Sequence, residues 1–117
     1  MLLVEDNADV AEALRLVLEL EGHDVFVASD ALEGLRIAQE RQPEVIISDI
    51  GLPGMDGYAF ARTLRQDAAF RSIPLLALTA YSDHESAQKA REAGMDHFMT
   101  KPANPDALLR AVARFSS

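Results

Sequence analysis

Short apolar runs bounded by turn residues recur at LLV, DVFVA, VIIS, LLAL and HFM, and the longer segments between them carry apolar residues every three or four positions. The pattern predicts strand then helix, five times. In the first helical segment, residues 8–21, Val10, Leu14, Val17 and Leu18 share one face, and Gly22 stands where a left-handed residue would end the last turn. The second, residues 30–41, places Ala31, Leu35 and Ala38 together, with Pro43 beyond to prevent continuation. Residues 57–66 form a third helix burying Ala61 and Leu64. A fourth, residues 83–93, offers only Ala87, Ala90 and Ala93 to a core before Gly94, so its anchoring is expected to be weak. The last begins at Asn104 as N-cap with Pro105 in the first turn, and turns Leu108, Val112 and Phe115 inward.

Near-continuous Val, Ile and Leu strands joined by helices imply a parallel sheet covered on both faces. Right-handed crossovers restrict the topology, and the expected architecture is a doubly wound α/β fold of five parallel strands in the order 2-1-3-4-5 with five helices. The 117 residues suffice for one core and not two, so residues 1–117 are expected to form a single domain.

Composition then narrows the function. With 49% apolar and 26% charged residues the chain reads as an ordinary globular domain, and no apolar run approaches the roughly 18–20 residues a bilayer span needs. MLLVEDNADV has no basic leader region, and Glu5 and Asp6 interrupt its apolar run, so it does not read as a secretory signal. No cysteine is present to build a disulfide or a thiolate site. The net charge of −8 argues against direct nucleic-acid binding and favours a protein or a metal ion as partner.

Candidate chemistry lies where the strands end. VIISDIGLPGMDG raises the question of why an aliphatic run stops at a lone aspartate, Asp49, before a glycine- and proline-punctuated loop, since a buried carboxylate is costly without a partner. The first strand is followed by Glu5 and Asp6, the fourth ends in Thr79, and the fifth in Thr100 and Lys101. In an open parallel sheet these ends share one edge, where ligands bind at the reversal of strand order. Three converging carboxylates repel unless Lys101 or a divalent cation compensates, and an incomplete oxygen-donor set suits Mg²⁺.

The motifs LLVEDN, SDIGLPGMDGY, LTAY and FMTKP, in that order at strand ends, resemble the response-regulator receiver domain of two-component signalling over essentially the whole chain. The chemotaxis-regulator-like members of that family have the flavodoxin-like fold. The resemblance implies that Asp49 accepts a phosphoryl group from a histidine kinase or a histidine phosphotransfer protein. It implies that Asp6, Asp49 and the Gly51 carbonyl bind Mg²⁺ directly, with Glu5 acting through water. Lys101 and Thr79 would contact the phosphoryl oxygens, and Thr79 and Phe98 would act as the switch that alters the face of helix 4, strand 5 and helix 5. Gly51 and Tyr81 would tune the lifetime of the modified state. The Lys101–Pro102 peptide is often cis in the family. A cytoplasmic location and a monomer or weak dimer follow from the same likeness.

Plainer readings stand beside these. Asp49 also suits a loop turn, Glu5 and Asp6 also suit capping of the first helix, Thr79 suits a strand, and Phe98 suits a core. His23, His84 and His97 lack ligand spacing and read as structural or solvated. Lys89, Arg91 and Glu92 read as a solvated face. A phosphorylation-independent pseudo-receiver, serving as a binding module, is the main alternative function. A small aspartyl-phosphate phosphohydrolase would need a second aspartate where Gly51 stands, and a flavin-binding module would need a hydroxyl-rich loop after the first strand. The domain would catalyse its own phosphorylation and dephosphorylation without being a turnover enzyme. The chain begins within the first strand and ends just after the last helix, which fits a domain cut from a longer protein, such as a hybrid histidine kinase, as well as a stand-alone regulator.

Overall fold

The computed structural model describes residues 1–80 and 84–116. Elements alternate along the chain as β1 (Leu2–Val4), α1 (Ala8–Leu20), β2 (Phe26–Ala28), α2 (Ala31–Arg41), β3 (Ile46–Asp49), α3 (Gly57–Gln66), a 3₁₀ turn (Ala68–Phe70), β4 (Leu75–Thr79), α4 (His84–Glu92), β5 (His97–Thr100) and α5 (Pro105–Ser116). The strands form one parallel sheet in the order β2-β1-β3-β4-β5, the order expected for a doubly wound fold of this size. Register is continuous across it: Val4 lies beside Ala28 and Ser48, Asp49 beside Leu78, and Thr79 beside Thr100.

Alternation of side chains along each strand sorts the core into two layers. Leu2, Val4, Ile46, Leu75 and Ala77 face α2, α3 and α4, where Ala38, Phe60, Leu64 and Ala90 meet them. Leu3, Ile47, Leu76 and Leu78 face the other way, against Leu14 and Leu18 of α1 and Leu108 and Val112 of α5. Cover on both faces is complete for β1, β3 and β4. It is partial for the outer strands β2 and β5, because an edge strand has helices over only part of its width. Phe26 on β2 is 37% exposed and lies under the Arg41 guanidinium, 5.1 Å from the ring centroid.

Helix ends follow local chemistry. Asn7 caps α1 by accepting from the N–H groups of Asp9 and Val10, so that duty falls to neither Glu5 nor Asp6. Gly22 is left-handed beyond α1, with φ +91. Asn104 Oδ1 accepts from Ala107 N at 3.1 Å, as its place before Pro105 predicts. The residues predicted inward in α1 are not all equally deep: Leu14 and Leu18 are buried, Val10 and Val17 half-buried, and Ala11 takes the remaining core position. The start predicted for the fourth helix, Asp83, lies outside the described residues.

The end of α2 is less expected. Ahead of Pro43, Gln42 adopts the left-handed conformation (φ 46, ψ 62) while its N–H bonds to Ala38 O. A side chain there costs about 1 kcal/mol relative to glycine, and the following proline narrows its options further. Gln42→Gly is therefore expected to stabilise the domain by roughly 0.5–1 kcal/mol after allowing for glycine's freer unfolded chain. Urea unfolding measures this, and a midpoint no higher than that of the wild type would contradict it.

Candidate functional site

Strand register brings the ends of β1, β3, β4 and β5 to one edge of the sheet. The aliphatic run of β3 buries Asp49 to 5% exposure, and Glu5, directly after β1, is 1% exposed. The main chain at Glu5 is fixed by its N–H bond to Ala28 O at 2.9 Å. Asp6 follows on the solvent side, and carboxylate oxygens of Glu5, Asp6 and Asp49 lie within 4.8 Å of one another. Such a cluster of like charges needs a cation.

Lys101 supplies one. It leaves the end of β5, where its N–H bonds to Thr79 O at 2.6 Å, and precedes a cis peptide to Pro102. Its ammonium crosses back over the sheet edge to donate to Glu5 Oε1 at 2.5 Å and Asp49 Oδ2 at 2.9 Å. The second oxygen of each carboxylate is also engaged, Glu5 Oε2 by Asn7 N–H at 3.1 Å and Asp49 Oδ1 by Gly51 N–H at 3.1 Å. Both groups are thereby held in one orientation.

Burial raises the Glu5 pKa, with the charge of Asp49 adding to it, and the hydrogen bonds from Lys101 and Asn7 offset only part of that rise. Burial alone would lower the Lys101 pKa, but hydrogen bonds and charge attraction from Glu5 and Asp49 outweigh it and keep the ammonium protonated above its usual range. Removing one member of so buried a set would leave charge uncompensated, an effect on the order of 3–5 kcal/mol in comparable pairs.

Among the other predicted residues, Thr79 is buried at the end of β4, 1% exposed, and is joined to Lys101 through the main chain. Phe98 is half-buried on β5 and packs against the core beneath α2, α3 and α4. Thr100 is exposed. Gly51 lies beside Asp49, and a Cβ there would meet nothing nearer than Asp49 Oδ1 at 3.9 Å. Tyr81 lies outside the described residues.

Residue type and order had pointed to these groups, yet two contributors to the site carried no distinct signal. Asn7 matters here through its main-chain N–H, which every residue but proline has. Gly57, one of several loop glycines, opens α3 with its N–H bonded to Ile50 O at 2.9 Å. A Cβ on it would sit 2.4 Å from the Asp49 carbonyl oxygen and 2.7 Å from Ile50 Cα. Only glycine lets α3 seat against the peptide that carries Asp49.

A family model described as the response regulator receiver domain matches residues 1–113. The chain belongs to this family. Among curated relatives, an uncharacterized 14.6 kDa protein from the sodA1 3′ region of Leptolyngbya boryana is 36% identical over 98% of this chain and 88% of its own length. The transcriptional regulatory protein AfsQ1 of Streptomyces coelicolor is 35% identical over 97% of this chain, which spans 51% of that protein. Of solved structures, the chemotaxis response regulator CheY4 of Vibrio cholerae superposes with a TM-score of 0.93 at 32% identity, covering 97% of this chain and 95% of that one. Receiver domains bind Mg²⁺ at an acidic pocket and interact with histidine kinases or phosphotransfer proteins, and this receiver domain carries the acidic cluster. Among the described residues, no helix is long and apolar enough to cross a membrane.

Gly57→Ala in this receiver domain sets helix propensity, which favours alanine by up to about 1 kcal/mol, against contact with a main chain that cannot move aside. The contact should win, with a net loss of about 2 kcal/mol in denaturant unfolding. A variant as stable as the wild type would show that α3 does not rest on Asp49 in this way.

Proposed function

We propose that this domain is a phosphoaccepting switch in which Asp49 takes a phosphoryl group from a histidine kinase or a histidine phosphotransfer protein. The observation that carries the reading is the Asp49 carboxylate, fixed by Gly51 N–H and Lys101 Nζ among the oxygens of Glu5 and Asp6. Transfer forms a bond from an Asp49 oxygen to phosphorus and breaks the phosphorus–nitrogen bond to the donor imidazole. Such chemistry needs mainly alignment and neutralisation of charge on the phosphoryl oxygens.

The donors present suit Mg²⁺, a hard cation that takes oxygen ligands and keeps several waters. Asp6, Asp49 and the Gly51 carbonyl would hold it, with Glu5 acting through water, and the ion would supply charge neutralisation at the transferred phosphoryl group. Lys101 meets the incoming oxygens with its ammonium, already over Asp49, and Thr79 donates its hydroxyl to them. Modification replaces the singly charged Asp49 carboxylate with an acyl phosphate of up to about two negative charges, a net gain of about one, in a pocket where the Lys101 ammonium is shared between Glu5 and Asp49. Redistribution of Lys101 and Thr79 toward the phosphoryl group is then passed, through Phe98, to the face formed by α4, β5 and α5. The domain catalyses its own modification and hydrolysis without turnover of a separate substrate, and works in the cytoplasm as a monomer or weak dimer.

Asp49→Asn is expected to abolish acid-labile labelling by acetyl phosphate, since an amide cannot form the acyl phosphate. Intact-mass and peptide mapping read the result, and stoichiometric labelling retained in the variant would remove Asp49 from this role. The lifetime of the modified state should depend on Gly51 and Tyr81, neither of which offers a carboxylate or amide to orient an attacking water. Position 51 has room for a side chain and its φ is not left-handed. Gly51→Asn combined with Tyr81→Glu is expected to speed hydrolysis about tenfold, equivalent to roughly 1.4 kcal/mol off the barrier. Decay at fixed Mg²⁺ after donor removal tests it, and a double variant no faster than the wild type would show that these side chains do not set the lifetime.

A further inference from the structure

The two ends of α4 are held very differently. At its start His84 and Glu85 are exposed, Ser86 and Ala87 are half-buried, and Tyr58 Oη reaches Ser86 O at 3.3 Å. Toward its end Ala90 is buried, followed by Ala93 and Met95 just beyond the helix, at 1, 3 and 4% exposure. The same end receives a guanidinium from α3. Arg65 donates from Nε and Nη2 to Gly94 O at 2.9 and 2.8 Å, from Nη1 to Phe70 O at 2.6 Å, and from Nη2 to Asp96 Oδ2 at 3.0 Å.

These bonds join the corner after α3 to the chain just beyond α4, 29 to 31 positions further on, and their acceptors are mostly main chain. Arg65 is well suited to them, since its planar fork can serve several carbonyls at once and its charge lies where the helix dipole is negative. Asp96 extends the tie into the sheet: its carboxylate accepts from Leu75 N at 2.9 Å, and its own N–H bonds to Leu75 O at 2.8 Å. Gly94 makes the approach possible. It is left-handed at φ +97, and a Cβ on it would lie 2.7 Å from Arg65 Cγ, so the arginine lies across the space where a side chain would be.

We propose that Arg65 makes the C-terminal end of α4 a fixed pivot, so that movement of α4 is a swing of its N-terminal half about Gly94. The pivot stands on α3, whose first residue rests against the Asp49 peptide, so hinge and carboxylate pocket belong to one rigid frame. It exists whether or not Asp49 is modified, and its test needs no phosphodonor.

Native-state hydrogen exchange of the unmodified domain measures it residue by residue. The amides of Ala93, Gly94 and Met95 are expected to show protection factors at least tenfold above those of Gln88 and Lys89. Arg65→Met should reduce that difference to less than threefold while leaving α1 protection unchanged, and Arg65→Lys, with the charge but not the fork, should restore less than half of it. If Arg65→Met does not fold, Asp96→Asn should still lower protection at Ala93–Met95 at least threefold and nowhere in α1. Even protection along α4 in the wild type would overturn the pivot. So would Arg65→Met or Asp96→Asn leaving Ala93–Met95 as protected as before, or lowering α1 and α4 protection equally.

Discussion

The ammonium of Lys101, shared between Glu5 and Asp49, is the interaction on which the rest of the site depends. Three carboxylates within 4.8 Å would otherwise disfavour one another's charge, and two of them are almost wholly withdrawn from water. The lysine directly follows β5, which β4 separates from β3, so the neutralising bond also holds the far side of the sheet to the pocket. Strand order, the turn at Pro102 and the Thr79 carbonyl all act to place one nitrogen atom. The hydrogen bonds at Gly51 and Asn7 then fix the carboxylates around it.

The helices divide the mechanical work unevenly. On the α1 and α5 side, Leu14, Leu18, Leu108 and Val112 give the sheet a deep apolar layer. On the opposite side, α3 carries Phe60, Ala61 and Leu64 into the core, and touches the Asp49 peptide at one end and the end of α4 at the other. Its neighbour α4 contributes small alanines, so shifting its exposed half forfeits little buried apolar area. A stiff strut beside a lightly held helix is a physical basis for a two-state element, because the cost of moving one is far below the cost of moving the other.

Much of the fold was legible because it rests on repeated signals. Five apolar runs separated by helical periodicity lead to a parallel sheet, and the Val, Ile and Leu content of β3 and β4 matches their complete burial. The site was legible for a different reason: a parallel sheet brings consecutive strand ends to one edge, so Glu5, Asp6, Asp49, Thr79 and Lys101 could be grouped from topology. Single-turn details were harder. Asp6 and Asn7 are both good capping residues, and only the trajectory of the chain out of β1 decides that Asn7 caps α1. Pro43 announces the end of α2, but nothing local announces that Gln42 will be left-handed ahead of it.

By itself, the order of residues determined the alternation of elements and the polar groups that the strand ends carry, since these follow from periodicity, while the handedness of βαβ crossovers narrowed the strand order to a few, of which the commonest at this size is the one found. Tertiary structure alone decided which of those groups touch. That Lys101 binds Glu5 as well as Asp49 depends on the reach of a flexible side chain across the packed edge. That Gly57, among several glycines, is the one whose Cβ would strike main chain depends on where α3 lands. That Arg65, among many arginines, gathers the Phe70 and Gly94 carbonyls depends on the corner after α3 meeting the turn beyond α4, and a carbonyl acceptor is the same atom in every residue, so it leaves no trace in a sequence.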